Sequence, residues 1–192
     1  MNDSSMVAQP PLDRDAELDR LEAHVRDALR QADRLGASEA EVTAHTSQGL
    51  SVNVRLGEVE TLEHMQDRGV SVTAYIGRRK GQASSADLRP ESIADCVRHA
   101  LDIARHTQED PCNGLPEAER LATGQPDLDL WHPAPLDAAA AIERATVCED
   151  AGRCEPGVSN SEGAAFNAGV GLSVHGNSLG FVGRSAGTRF SQ

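Results

Sequence analysis

The sequence is nearly without aromatic side chains: one Trp, one Tyr and three Phe, 3% of 192 residues. Hydrophobic residues still make up 39%, so a core can form, built from Val, Leu, Ile and Ala. Cysteines are few as well. Cys96, Cys112, Cys148 and Cys154 match neither the spacing of a zinc knuckle nor a C-x-x-C redox pair. Cys96 falls in a helical pattern and reads as a small buried apolar group. Cys148 and Cys154 could pair only in an oxidising compartment. Positive charge is also scarce, with 18 Lys and Arg against 30 Asp and Glu, a formal net charge of -12 and a pI near 4.9. Such a balance repels a polyphosphate, because nucleic-acid affinity depends on neutralising phosphates with Lys and Arg. The segment Met1–Pro11 is polar and lacks a charged start followed by an apolar run. It reads as neither a signal peptide nor a membrane span. The expectation is a cytoplasmic chain with no membrane and no nucleic-acid partner, and a disordered lead-in over residues 1–12.

From Asp13 to Leu35 the apolar positions Leu18, Leu21, Val25, Leu29, Ala32 and Leu35 are spaced by threes and fours, one face of a helix. Asp15, Glu17 and Asp19 load its positive end, and Gly36 is placed to end it in the left-handed conformation. The period then changes to two. Leu50, Val52, Val54 and Leu56 alternate with Ser51, Asn53 and Arg55, as in a strand with one buried face. Gly57-Glu58 suits a hairpin turn, and Val59–Met65 returns as the partner strand. Val70, Val72, Ala74 and Ile76 alternate again, and Gly77–Gly81 turns the chain into Gln82–Ala86. With Glu41–Thr46 in front, five short strands are predicted. Their tight connections require antiparallel neighbours.

Pro90 opens a second helix where its missing N–H is harmless. Ile93, Val97, Ala100, Leu101 and Ala104 share one face, with Arg105 and His106 in the last turn. Residues 108–135, rich in Pro, Gly and Asp, read as an ordered but irregular connection. Leu136–Ala151 is an Ala-rich third helix. After Asn160 the composition shifts to Gly, Ser, Val and Phe. Val170, Leu172 and Val174 form one strand, Gly176–Ser178 a turn, and Phe181 onward a returning strand. The fold class is α+β: an antiparallel sheet of about five strands flanked by helices, followed by the start of a second, Gly-rich antiparallel sheet. Residues 13–152 are read as the first domain and 153–192 as the start of a second β-rich region. An apolar sheet edge left open at the end points to a continuing chain or a partner.

Chemistry-bearing patterns are sparse. None of His24, His45, His64, His99, His106, His132 and His175 is followed by Glu, so H-E-x-x-H is absent. His99 and His106 would share a helix face, but two donors without a third make solvated helix histidines the better reading. There is no G-x-S-x-G elbow, and Ser84 and Ser85 fit hydrogen bonding at a sheet surface. Asp127 and Asp129, two apart in a Pro-containing loop, fit turn formation better than two-carboxylate catalysis. The glycines from Gly163 to Gly183 lack G-x-x-x-x-G-K-[ST] and fit a glycine-punctuated hairpin. Arg78-Arg79-Lys80 reads as a solvated turn that blunts a sheet edge. No catalytic, cofactor-binding or metal-binding residue is assigned, and no cofactor is expected in the chain. A small-residue sheet with exposed edges can take up an extended peptide as an added strand.

Several segments in order resemble one known family. Arg55-Leu56-Gly57-Glu58-Val59-Glu60 resembles its R-x-G-E-V-E hairpin, and Gly81-Gln82-Ala83-Ser84-Ser85-Ala86-Asp87-Leu88 its G-x-A-S-S-x-D-L strand and exit. Asp110-Pro111-Cys112-Asn113-Gly114-Leu115, Asp127-Leu128-Asp129-Leu130 and His132-Pro133 resemble connections of one branch. Asn160-Ser161-Glu162-Gly163, Phe166-Asn167 and Gly176-Asn177-Ser178 with Gly180 resemble later signatures. The chain is similar to the N-terminal portion of the TldD/PmbA family, on its PmbA (TldE) branch. That resemblance implies a subunit without zinc that works beside a TldD-type metallopeptidase carrying the zinc. The pair would process extended peptides, as in microcin maturation and antitoxin turnover, which gives the label "modulator of DNA gyrase". It implies hetero-oligomeric assembly or self-association, and a metallopeptidase family setting in which this chain carries no zinc-binding or catalytic motif, so that whether it is itself an enzyme stays open. Two other readings stay open: a peptide- or partner-binding module with no part in hydrolysis, and an inactive truncated product.

Overall fold

The computed structural model describes residues 12–135 and 137–192; the predicted lead-in lies outside them except for Leu12. Helix α1 spans Arg14–Arg34, strand β1 Glu39–Arg55, β2 Glu58–Ile76 and β3 Arg79–Ser85. Helix α2 covers Pro90–His106, α3 Ala138–Arg153, β4 Ala164–Asn177 and β5 Val182–Ser191. The strands form one five-stranded sheet in the order β3-β2-β1-β4-β5, and every neighbouring pair is antiparallel.

The helices begin and end for identifiable reasons. The Asp13 side chain accepts the Ala16 N–H at 3.2 Å, which satisfies one of the free donors of α1's first turn. Gly36, at φ 91°, ends that helix as predicted. Pro90 occupies the first turn of α2. The Asp137 carboxylate accepts the Ala139 N–H and caps α3.

The α+β class and the count of five antiparallel strands agree with the sequence reading, but the strands are distributed differently. Glu41–Thr46 and Leu50–Leu56 fuse into one seventeen-residue strand, β1. Val59–Met65 and Val70–Ile76 likewise fuse into β2. The breaks expected at Ser47–Gly49 and Gln66–Arg68 do not form, because β1 and β2 pair without interruption from Glu39↔Tyr75 to Asn53↔Thr61. Backbone pairing there does not depend on apolar side chains. The Gly-rich segment does not open a second sheet either. β4 pairs with β1 over its full length, Glu41↔Asn177 to Val54↔Ala164, and so lies between β1 and β5 in the same sheet. Interleaving of this kind joins residues more than a hundred positions apart, which local periodicity cannot display.

All three helices lie on one face of the sheet. Alternate residues of β1 point toward them: Ala40, Val42, Ala44, Thr46, Gln48, Leu50, Val52 and Val54 are all buried. They divide into two apolar clusters. Ala40, Val42 and Ala44 pack with Val70, Val72, Ala74, Leu172 and Val174 beneath Leu21 and Val25 of α1 and Ile93, Val97 and Leu101 of α2. Leu50, Val52 and Val54 pack with Phe166 and Ala168 beneath Ala141 and Ala145 of α3. Buried polar Thr46 and Gln48 lie between the two.

The edge at β5 is not left bare. The irregular connection runs beside it, with the Gln125 amide donating to Val182 O at 2.7 Å, Arg184 N–H donating to Gln125 Oε1 at 3.1 Å, and Thr188 N–H donating to Leu130 O at 2.8 Å. These bonds absorb backbone groups that an edge strand would otherwise expose.

Candidate functional site on the open face of the sheet

The face turned away from the helices is where the structure concentrates half-buried polar groups. Its composition follows from the alternation: β1 contributes Thr43, His45, Ser47, Gly49, Ser51 and Asn53, the residues between the buried ones. Register sets their neighbours. Thr43 lies opposite His175, His45 opposite Ser173, Ser47 opposite Gly171 and Ser51 opposite Asn167 on β4. On β2 the partners are Ser71, Gly69, Asp67 and Glu63, and on β5 Ser173 faces Ser185 and Gly171 faces Gly187. The result is a strip of hydroxyls, glycines and two histidines along a strand about 55 Å long, from seventeen residues at the usual rise.

The polar groups are tied to one another across strands. The Thr43 hydroxyl and His175 Nδ1 are 2.9 Å apart. The Ser51 hydroxyl donates to Asn167 Oδ1 at 2.7 Å, and Asn53 donates to the Glu60 carboxylate at 2.6 Å. His45 Nε2 lies 3.3 Å from Asp67. The His45 ring rests on Gly69, where an added Cβ would come within 2.9 Å of it. At the far corner the Phe181 ring covers Gly183 and sits 6.1 Å from the His175 ring.

One end of the face is closed. Leu115 N–H donates to the Glu39 carboxylate at 2.8 Å, and Arg78 donates to Asn113 O at 2.6 Å, so Asp110–Leu115 lies across the end of β1 and β2. Tyr75, almost wholly buried there, has its phenol pushed up to about 12 by burial and by the adjacent Glu41 and Glu39 carboxylates.

The opposite end is held by a residue that the sequence patterns did not single out. Glu149 of α3 is 4% exposed. Its two carboxylate oxygens accept the N–H groups of Leu56 and Gly57 at 2.6 and 2.9 Å. Those two residues form the β1–β2 turn with φ 54° and 81°, so the turn lies one residue earlier than the predicted Gly57-Glu58. Leu56 takes a left-handed conformation that a branched side chain disfavours, and the Glu149 clamp offsets that cost. Burial, the largest single influence, raises the Glu149 pKa. The Gly57 N–H, the Ser161 hydroxyl, the Leu56 N–H and Arg153 together outweigh it and hold the carboxylate below its ordinary range. Its signal was present in the sequence: Glu149 continues the buried series Ala138, Ala141, Ala145.

The other residues weighed in the sequence fall elsewhere. His99 and His106 are exposed on α2, away from the open face. Ser84 is exposed on β3, while the Ser85 hydroxyl bonds the Asp87 backbone at the strand's exit. Asp127 Oδ1 accepts the Asp129 N–H at 2.9 Å, and Asp129 sits at φ 50°, a local turn. Arg79 and Lys80 lie inside β3, with Arg79 bonded to Arg105 O. Cys96 is buried, which pushes its thiol pKa up. Among the described residues no group of three or more His, Cys, Asp or Glu side chains is arranged to hold a metal ion. His45 with Asp67, and His175 with Thr43, offer too few donors for a zinc site. Among the described residues no helix is long and apolar enough to cross a membrane. What the open face can do is offer hydrogen bonds over a long, shallow, mostly small-residue surface.

Comparison with known proteins agrees with this architecture. The family model of PmbA/TldA metallopeptidase domain 1 matches residues 40–104. Metalloprotease PmbA of Escherichia coli O157:H7 is 44% identical over 89% of the chain, and a Metalloprotease PmbA homolog of Haemophilus influenzae is 39% identical over 85%. The chain spans only 38% and 36% of the length of these two relatives. Among solved structures, a protein of Bacteroides thetaiotaomicron described as a modulator of DNA gyrase superposes with a TM-score of 0.78 at 22% identity, covering 90% of this chain and 40% of that one. TldE of Thermococcus kodakarensis gives 0.69 at 17% identity, over 86% and 37%; both likenesses concern the fold. With a domain-1 match at its centre and close sequence relatives across most of its length, the chain belongs to the PmbA/TldD metallopeptidase family.

Proposed function

We propose that the chain is a non-catalytic part of a cytoplasmic TldD/TldE-type metallopeptidase assembly, one that guides extended peptides toward a zinc site carried by a TldD-type partner. Microcin precursors and antitoxins, the substrates that the family resemblance implied, are of the right kind: unfolded chains whose backbones are free to hydrogen-bond. The observation that supports this reading is the open face, a polar strip of Ser, Thr, Asn, His and Gly running along β1 and β4 with no covering helix among the described residues. β1 and β4 are interior strands with their backbone groups paired, so the face offers hydroxyl, amide and imidazole groups, which can bond a peptide backbone whatever its side chains. That suits an assembly that handles many peptides. The names of the PmbA relatives supply the metalloprotease setting.

The test is partner-dependent cleavage. A TldD-type subunit is assayed on an unstructured peptide with and without this chain, alongside co-elution on a sizing column. Co-elution with cleavage that requires the chain is the expected result. Cleavage unchanged by the chain, with no co-elution, overturns the proposal.

A further inference from the structure

The two borders of the sheet are finished differently. At β5, Gln125 and Leu130 take up outward backbone groups of Val182, Arg184 and Thr188. At the other border β3 pairs with β2 only from Val70 to Ile76. From Glu58 to Gly69 the side of β2 away from β1 has no strand beside it among the described residues. Over Thr61–Arg68 the side chains are exposed, apart from half-buried Leu62, so neither face screens this edge. An unpaired strand of this kind presents alternating N–H and C=O groups to solvent.

Its charge has mostly one sign. Glu58, Glu60, Glu63 and Asp67 line the stretch against Arg68. Glu60 is 4.0 Å from Arg55, and Asp67 contacts His45. Glu58 and Glu63 take part in no ion pair among the described residues, in a chain whose net charge is -12. Acidic side chains here repel a second copy of the same edge. They attract a strand of opposite sign, because complementary charge flanking a backbone ladder favours the correct partner and penalises others.

We propose that the β2 edge from Glu58 to Gly69 accepts an extended, basic peptide segment as a sixth strand, in line with β3. The proposal rests on the peptide-guiding reading above and specifies the class of peptide. β3 bounds the site at one end, where Ser85 pairs with Val70. The Leu56–Gly57 turn held by Glu149 bounds it at the other. A segment of up to about a dozen residues fits between them at strand rise. Its side chains alternate, some beside Glu63, Met65 and Asp67 on the open face, the others beside His64, Gln66 and Arg68.

The experiment is hydrogen exchange on the full chain with three peptides of about ten residues at strand rise. One alternates Lys with Thr and Val, the second is the same peptide N-methylated on every other amide, and the third carries Glu in place of Lys. The expected result is new protection confined to residues 58–69 with the Lys peptide. Affinity falls about tenfold or more, at least ~1.4 kcal/mol, on N-methylation or charge reversal. The double substitution Glu58→Lys with Glu63→Lys should reverse the preference between the Lys and Glu peptides. Protection at β4 and β5 in place of 58–69, indifference to N-methylation, or equal binding of the Lys and Glu peptides overturns the proposal. Each of these leaves the peptide-guiding reading standing, since that reading fails only on loss of partner-dependent cleavage. The peptide arms require no variant of the protein, so they decide the matter even where the double mutant misfolds.

Discussion

At one end of β1, Ala40, Val42 and Ala44 lie beneath two helices, and the side chains above them are Leu21, Val25, Ile93, Val97 and Leu101. At the other end Leu50, Val52 and Val54 lie beneath α3, whose contact residues are the buried Ala141 and Ala145 and the half-buried Ile142. The same strand, with the same alternation, is therefore held by large interlocking side chains at one end. At the other it is held by two buried alanines, one half-buried isoleucine and a single carboxylate on the turn. Apolar stabilisation scales with the area removed from water, so the α1/α2 end should carry more of the global stability. The α3 end should open more easily by itself. The exposed β2 edge runs alongside the α3 end, where only its Leu62 packs against the smaller cluster.

The largest effect should come from Gly81. It sits in β3 directly under α2, and a Cβ added there would overlap the Ala100 carbonyl and the Ala104 nitrogen. Gly81→Ala must displace helix or strand, at roughly 3 kcal/mol or more. Denaturant unfolding should show a lower midpoint, and an unchanged midpoint would disprove the close packing. Next are Leu21→Ala and Leu50→Ala, one in each cluster and both fully buried. Each should destabilise by about 2–5 kcal/mol, but with different reach. Leu21→Ala should raise hydrogen exchange throughout the sheet. Leu50→Ala should raise it first in 50–62 and α3, leaving 70–76 protected. Equal loss everywhere in both variants would mean that the two ends form one cooperative unit.

A smaller, local effect is expected at Glu149. Its lowered pKa means that its contribution is fully present above the ordinary glutamate range and is lost as pH falls through the depressed value. Glu149→Gln should loosen exchange protection of 53–61 at neutral pH, and acidification should do the same to the unaltered chain. Loosening that grew as pH rose would refute the clamp. The smallest effect belongs to Arg184, whose guanidinium bridges β5 to Asp19 and Glu22 of α1. The site is partly exposed and screened by solvent, so Arg184→Ala should change stability by no more than about 1 kcal/mol, less in high salt. A larger, salt-independent loss would show that the ion pairs carry part of the α1 docking.

Much of this was legible in the residue pattern. The faces of α1 and α2, the Pro90 start, the Gly36 stop and the alternation of Leu50, Val52 and Val54 follow from period and local sterics, and the structure keeps them. The extent of β1 and β2 did not, because Thr46 and Gln48 interrupt the apolar series while remaining on the buried face. The open face was only half legible. Its Ser, Thr and Gly residues were visible as the polar partners of an alternation. That β1 and β4 would set Thr43 beside His175 depends on a pairing across 132 positions.

Sequence by itself determined the helices, the strand character, the absence of local catalytic motifs and the acidic charge, since each depends on neighbours a few residues apart. Tertiary structure decided which strands share a sheet, which edge is partly covered and which is unpaired among the described residues, and that Glu149 faces a turn ninety-odd residues away. Those depend on backbone hydrogen bonds and buried charges, whose partners are chosen by the packed chain as a whole and not by any window of it.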